Sequence, residues 1–339
     1  MPTNMQLQKL ATAIRRQVPR ESGVYLFRDR SGAPLYIGKS VNLRQRMLSY
    51  FGSDPTRLET RIRQMAFSVR SFEFRVTASE LMALWLENAL IKQERPVFNV
   101  RQQEYDQYRY VVLTDDLYPT CKIVDHQESM DGRVFGPFRD RYLAADIIDI
   151  VNRYFRIRWC RDAQPFRKSL NFDLDFCTGP CRNRISVEDY AQIVDRVVRF
   201  LNGDEGWVAD RLEREMTQSS SNCDFEKAAE LKEKLAFCKN FCARQRFIHG
   251  FNSTALTVRD EGKERLEYRF KNGDLVQVVP IGGTESGGVP VPEEVLVSQR
   301  DPRFLLDKAS LVYSWLKKNR ATCRHTFEPK LPPDQALEE

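Results

Sequence analysis

The sequence predicts an α+β protein whose strands and helices fall in separate runs, and three observations carry that prediction. Two short apolar runs near the N-terminus, Gly23-Val24-Tyr25 and Leu35-Tyr36-Ile37, each hold a tyrosine. A turn-rich insert with Asp29, Ser31, Gly32 and Pro34 separates them, which is the pattern of a β-hairpin. Helical periodicity fills 187–246 after short strand-like runs between 108 and 138, and strand-like runs return between 250 and 300. Elements of one type gathered in runs mark α+β architecture, where strict alternation would mark a parallel α/β sheet.

Residues 1–20 form a short basic lead-in, helical until Pro19. After the hairpin, a basic helix puts Arg46 and Tyr50 four residues apart on one face. Phenols, Lys39 and arginines thus converge on a small area suited to an anionic phosphate. A second helix covers 57–67, and Phe72, Phe74 and Val76 alternate as one face of a strand. Thr77-Ala78-Ser79-Glu80 has the form of a capping box and opens a helix that runs to about Glu94, ahead of Pro96. Its run from 81 to 91 is apolar nearly all round, which predicts burial, and Glu87 sits in the middle of it. A buried carboxylate needs a cation, hydrogen bonds or a metal; left bare it takes up a proton.

Pro96-Val97-Phe98-Asn99 closes this part near residue 104. Strands follow at 110–113, 121–124 and 134–138, with Phe135-Gly136-Pro137-Phe138 read as a turn, then a helix over 140–154. A segment with Cys160, Cys177 and Cys181 lacks periodicity. Helices are predicted at 187–201, 206–216 and 223–246, strands at 255–258, 266–270 and 275–280, and a last helix at 304–318. A glycine-rich loop spans 282–288, and the tail from Pro329 has a disordered composition. The resulting domain boundaries are 1–104, 105–200, 201–246 and 247–339.

The 339 residues carry a net charge of +6, unevenly spread. Residues 1–104 hold seventeen Lys and Arg against nine Asp and Glu, and fourteen of the seventeen are arginines. Arginine suits forked phosphate contacts, so nucleic acid is the expected partner of this third. No apolar run approaches bilayer length and the first sixteen residues lack a signal-peptide core, so a soluble, cytoplasmic protein with no membrane partner is expected. Eight cysteines in such a chain point to free thiols or metal ligands over disulfides. The three histidines, His126, His249 and His325, lie far apart, which argues against a His-rich zinc site or a Ser-His-Asp triad. Gly38-Lys39-Ser40 invites a P-loop reading, but the position five before Gly38 is Ala33, so the phosphate-binding loop fails.

Over residues 20–104 the chain resembles the GIY-YIG nuclease family. Gly23-Val24-Tyr25 and Tyr36-Ile37-Gly38 match the two halves of its motif. Lys39, Asn42-Leu43-Arg44 and Arg46 match the helix that follows, Tyr50 its end, Glu87 the metal-binding glutamate and Asn99 a late asparagine. The resemblance implies a small three-stranded antiparallel sheet flanked by helices and hydrolysis of a DNA phosphodiester. It implies that Glu87 holds Mg2+ or Mn2+, hard cations that prefer oxygen and keep several waters. Arg46 would clamp the scissile phosphate, and Tyr36 would act as general base once Lys39 or the metal lowers its ordinary pKa of ~10. Tyr25 and Tyr50 would orient water or phosphate, Asn42, Arg44 and Arg46 would contact DNA, and Gly38 and Asn99 would be structural.

Residues 108–245 resemble the middle of the UvrC family of nucleotide excision repair. The resemblance rests on Phe135-Gly136-Pro137-Phe138, on Cys177-Thr178-Gly179-Pro180-Cys181 and on the run from Asp224 to Lys232. That run is similar to the UVR motif, which implies docking on UvrB through Phe225, Ala228, Ala229 and Leu231; an ordinary amphipathic helix would also show the stripe of Phe225, Ala228, Ala229 and Leu235. The family's cysteine segment resembles a [4Fe–4S] site with four thiolates. Here Cys160, Cys177 and Cys181 supply three, and Ser169 stands about where another is expected. Either Cys223, Cys238 or Cys242 completes the set, or the thiols are free. The family continues into an RNase H-type nuclease and a helix-hairpin-helix module. Nothing up to Glu339 matches either, which resembles the shorter homologue Cho; Cho is not expected to carry the UVR motif, so the chain reads as intermediate between the two. Together these resemblances imply a metal-dependent endonuclease that cuts 3′ of a lesion. Its partners would be damaged double-stranded DNA and UvrB, with UvrA upstream. The alternative is a degenerate nuclease kept as a DNA- or UvrB-binding adaptor.

Overall fold

The computed structural model describes residues 4–52, 58–99, 108–125, 131–160, 170–282, 288–292 and 301–328. Predicted features at His126, Ser169, most of the 282–288 loop and the tail from 329 lie outside them. The chain divides into two compact units, residues 1–104 with 250–339, and residues 105–249.

The first unit begins with α1 (Asn4–Gln17). Strand β1 (Gly23–Arg28) then pairs antiparallel with β2 (Pro34–Ser40) on one side and β3 (Ser71–Val76) on the other. The register sets Tyr25 opposite Gly38 and Phe74, and Phe27 opposite Tyr36 and Phe72. The hairpin turn closes on Asp29, whose carboxylate accepts the backbone N–H groups of Ser31 at 2.8 Å and Ala33 at 2.9 Å. Such side-chain-to-backbone bonding is why Asp begins turns of this kind. Two short helices, α2 (Leu43–Leu48) and α3 (Thr60–Ser68), and the longer α4 (Glu80–Glu94) surround the sheet. Ile14, Val18, Tyr25, Phe27, Leu43, Met47, Phe51 and Met65 fill the core between them.

The start of α4 differs from the capping box read from the sequence. Ser79, not Thr77, is the cap: its hydroxyl accepts the Met82 N–H at 3.2 Å, while the Thr77 hydroxyl donates to the Ser79 carbonyl at 3.0 Å. The Thr77 N–H is still bonded to the Ser22 carbonyl, so the backbone there continues β3 and the helix opens two residues later.

In the second unit, β4 (Arg109–Leu113) lies between β5 (Cys121–Val124) and β6 (Arg133–Phe138), all antiparallel. Phe135-Gly136-Pro137-Phe138 is part of β6 and not a turn; an edge strand tolerates the proline's missing N–H. The Gly136–Pro137 peptide is cis. Helix α5 (Arg141–Ile150) passes into a π-helical turn, Val151–Phe155, and α6 (Val187–Leu201), α7 (Gly206–Ser221) and α8 (Phe225–Ser253) follow. A single core gathers Phe138, Ile147, Phe155, Tyr190, Phe200, Leu212, Leu231 and Phe241.

The chain then returns to the first unit with a second antiparallel sheet. Its strands are β7 (Ala255–Asp260), β8 (Leu266–Lys271), β9 (Asp274–Pro280) and β10 (Cys323–Phe327), in the order β10-β7-β8-β9. The sequence reading lacked β10. Helix α9 (Pro302–Lys318) and the outer side of α4 meet this sheet, and the Trp85 ring lies 5.3 Å from Phe270 and 6.3 Å from Phe251. Lys308 is 2% exposed, and its ammonium pairs with Asp274 at 2.6 Å and lies 4.6 Å over the Phe304 ring. Among the described residues, no helix is long and apolar enough to cross a membrane.

Candidate active site

Strand alternation sends Tyr25 and Tyr36 from neighbouring strands to the same side of the first sheet, and Tyr50 meets them from just beyond α2. The three ring centroids stand 6.0–6.1 Å from one another, and the Tyr25 and Tyr50 hydroxyls share a hydrogen bond of 2.8 Å. Although α2 ends at Leu48, the Arg46 guanidinium still lies 5.1 Å over the Tyr50 ring, so the predicted shared face survives. Gly38 makes room for this group: a Cβ there would stand 2.6 Å from Tyr25 Cζ and closer still to its hydroxyl. Burial pushes the Tyr25 phenol well above its ordinary pKa, and the Tyr50 and Tyr36 phenols add to the shift. Tyr36 is also raised, first by burial, then by Tyr50, and further by the charge of Glu87.

Glu87 reaches the site from α4. Its Oε1 accepts the Lys39 backbone N–H at 2.9 Å. Desolvation raises its carboxyl to about 7, against the pull of that hydrogen bond and of the Lys39 and Arg46 charges. The sequence reading gave Lys39 or the metal the task of lowering the Tyr36 pKa. Instead the Lys39 ammonium is turned to Glu80 Oε1 at 2.7 Å, and Lys318 reaches the same oxygen at 3.3 Å. The Tyr36 phenol is therefore protonated at neutral pH by its protein surroundings alone. Glu80 entered the sequence reading only as a capping residue. The signal that would have found it is its spacing of seven from Glu87, two helical turns along one face.

The donor set around Glu87 fits the divalent cation that the resemblance implies. Glu87 is desolvated, makes no ion pair among the described residues, and spends one oxygen on a backbone N–H. That suits a hard cation held by one carboxylate and several waters. Among the described residues, no group of three or more His, Cys, Asp or Glu is arranged to hold a metal ion.

The remaining predicted residues have mixed placements. Asn99 is buried and bonds both backbone groups of Ile37 at 2.8 Å, accepting its N–H and donating to its carbonyl, which fixes the outer edge of β2. Asn42 caps α2 by accepting the Gln45 N–H at 3.1 Å, and Arg44 Nε donates to the Val18 carbonyl at 2.6 Å. Both side chains expected to contact DNA thus also hold the fold.

In the second unit, Cys177 is buried and accepts the Gly179 N–H at 3.4 Å; Cys160 and Cys181 lie near enough to help burial raise its thiol. Cys238 and Cys242 are packed into the hydrophobic core with burial raising both thiols, and Cys223 is exposed. A [4Fe–4S] cluster finds no support among the described residues. Of the expected docking residues, Phe225 is 66% exposed and Ala229 is exposed, with Ala228 half-buried. Leu231 is a correction: at 4% exposure it faces the unit's own core and has no surface to offer a partner.

The three-stranded sheet, its tyrosines and the glutamate of α4 make up a GIY-YIG endonuclease domain: residues 21–100 match the UvrC-like GIY-YIG domain. Residues 108–200 match the middle domain of the UvrC/Cho excinucleases and 208–240 the UvrB/UvrC motif, so the three matches together cover more than half of the chain. The chain belongs to the UvrC family.

The UvrABC system protein C of Syntrophomonas wolfei is 36% identical over 341 residues, covering 94% of this chain and 55% of that protein. That of Haloarcula marismortui is 37% identical over 252 residues, 72% of this chain and 41% of that one. The crystal structure of the GIY-YIG N-terminal endonuclease domain of UvrC from Thermotoga maritima, bound to magnesium, is 33% identical. It covers 26% of this chain and 96% of its own, with a TM-score of 0.23. The chain spans about half the length, 39–55%, of the curated relatives it matches.

Proposed function

We propose that this chain is a metal-dependent DNA endonuclease of nucleotide excision repair that hydrolyses one phosphodiester 3′ of a lesion in a UvrB–DNA complex. The observation that carries the reading is the convergence of Tyr25, Tyr36, Tyr50, Arg46, Lys39 and Glu87 in a UvrC-type GIY-YIG domain.

Glu87 is the residue that would hold Mg2+ or Mn2+. When bound, such a cation neutralises phosphoryl charge and lowers the pKa of proton donors beside it. Arg46, exposed at the rim and steadied on the Tyr50 ring, binds the phosphoryl oxygens in a fork. Tyr36 sits within the electrostatic reach of Glu87 and is the general base of this reading: its phenol would first give up its own proton beside a cation held at Glu87, and its oxygen would then accept the proton of the attacking water. Tyr25 and Tyr50 act as a pair: their shared hydrogen bond fixes both rings and leaves one hydroxyl proton to aim at water or phosphate. Lys39, with Asn42 and Arg44 on α2, adds positive charge and donors along the DNA approach. The exposed start of α8, with Phe225 and Ala229, docks on UvrB.

A lesion-bearing plasmid with UvrA, UvrB and Mg2+ tests this. The wild type nicks one strand, and end-mapping places the nick on the 3′ side. Glu87→Gln keeps DNA binding and loses nicking by about 100-fold or more, the usual scale for a lost electrostatic catalyst. Undiminished nicking by that variant would remove the site assignment. DNA and UvrB binding by a wild type that never nicks would favour the adaptor reading.

A further inference from the structure

We propose that Glu80 is a positioning residue that fixes the Lys39 side chain in the nuclease site, and that Lys318 on α9 braces it from the second sheet's side of the same unit. The inference rests on the nuclease reading of that site.

Lysine has a flexible four-carbon stem and three rotatable donors, so its charge is useful in a site only when something holds the stem. Lys39 is held twice by one helix. Glu87 takes its backbone N–H at 2.9 Å, and Glu80, two turns earlier on α4, takes its ammonium at 2.7 Å. The pair is partly withdrawn from water, with the side chains of Lys39 and Glu80 29% and 22% exposed, so salt screens it less than a surface pair. Glu80 also lies in the first turn of α4, where the helix dipole favours a carboxylate.

Lys318 ends α9 and shares Glu80 Oε1 at 3.3 Å. Burial alone would raise the Glu80 carboxyl, but the bonds from Lys39 and Lys318 outweigh it and hold it below its ordinary value. In this arrangement a residue 238 positions away in sequence supports a side chain of the nuclease site, which gives the C-terminal part of the unit a role in the reaction.

The test uses the full chain with Glu80→Ala, Glu80→Gln and Lys318→Ala. One readout is acylation of the Lys39 amine by an N-hydroxysuccinimide ester, followed by peptide mass spectrometry; the other is nicking with kcat and KM separated. Glu80→Ala is expected to raise Lys39 labelling several-fold and lower kcat by about 10-fold with KM within about 2-fold, as for a misplaced group. Glu80→Gln keeps an acceptor at the same reach and recovers most of the rate; Lys318→Ala falls between it and the wild type. Unchanged labelling and kcat in Glu80→Ala beside an active wild type would overturn the role of Glu80 alone. So would a loss in Glu80→Ala that Glu80→Gln leaves unrescued and that tracks a lower melting temperature. Faster nicking by Glu80→Ala would overturn it too, by making Glu80 a restraint on Lys39. A wild type that never nicks overturns the nuclease reading, and this role with it, whatever the labelling shows.

Discussion

Glu87 binds its proton more tightly in the folded chain than in an unfolded one, with a value of about 7 against an ordinary 4.5. A raised folded value gives stability that is complete below the unfolded pKa and is lost as pH rises through the folded one. Around pH 4 the carboxyl is neutral in both states; above 7 the fold carries a desolvated charge. Glu87→Gln removes that charge and keeps an acceptor for the Lys39 N–H. Its melting temperature is expected to exceed the wild type's at pH 8, at about 2–4 °C per kcal/mol relieved, with the difference vanishing near pH 4 in calorimetry. Cation affinity runs the opposite way, because a metal needs the deprotonated carboxylate. Titration calorimetry with Mg2+ or Mn2+ should show binding strengthening from pH 6 to 8. The sequence made this residue readable, since a lone glutamate in an apolar helix has few fates. It did not make Glu80 readable, because a first-turn glutamate is explained equally well by the helix dipole.

The pairing of β1 with β2 turns the spacing of the motif into geometry. Antiparallel register puts Gly38 directly opposite Tyr25, and the missing side chain at 38 is what the phenol occupies. Gly38→Ala forces the Tyr25 ring away from Tyr50, so it is expected to destabilise by about 1–3 kcal/mol, the usual cost of overpacking, in urea unfolding. Nicking should fall with the loss of the Tyr25–Tyr50 bond; wild-type stability and nicking together would mean the ring has space elsewhere. The hairpin, β3 and α4 were readable because alternation and apolar periodicity are local. The cap of α4 was misread because Thr77 and Ser79 both suit it, and only the strand hydrogen bond from Thr77 to Ser22 decides between them. β10 was not readable: Cys323-Arg324-His325-Thr326-Phe327 has few strand-forming apolar residues, and its partner β7 lies some sixty positions earlier.

Across the two units, what a side chain does depends on which core claims it. Phe225 and Leu231 lie on the same helix, two turns apart or less, yet one is open to solvent and the other sealed. Phe225→Ala should leave unfolding within about 0.5 kcal/mol of wild type. It should nevertheless weaken UvrB binding, as loss of an aromatic anchor does. Leu231→Ala should cost about 2–5 kcal/mol in the same denaturation experiment, the range for a buried leucine. The resemblance to the UVR motif grouped both as docking residues, because the sequence does not say where along a helix its core contacts end. The Trp85 contacts have a different consequence, for synthesis. The indole emerges from the ribosome long before Phe251 and Phe270 both exist, and at about 5–20 residues per second the interval to the latter is roughly 9–37 s. For that time the nascent chain carries an uncovered tryptophan on α4. Nascent-chain binding proteins that recognise apolar side chains therefore have a defined window, and a defined target, before the second sheet closes over it.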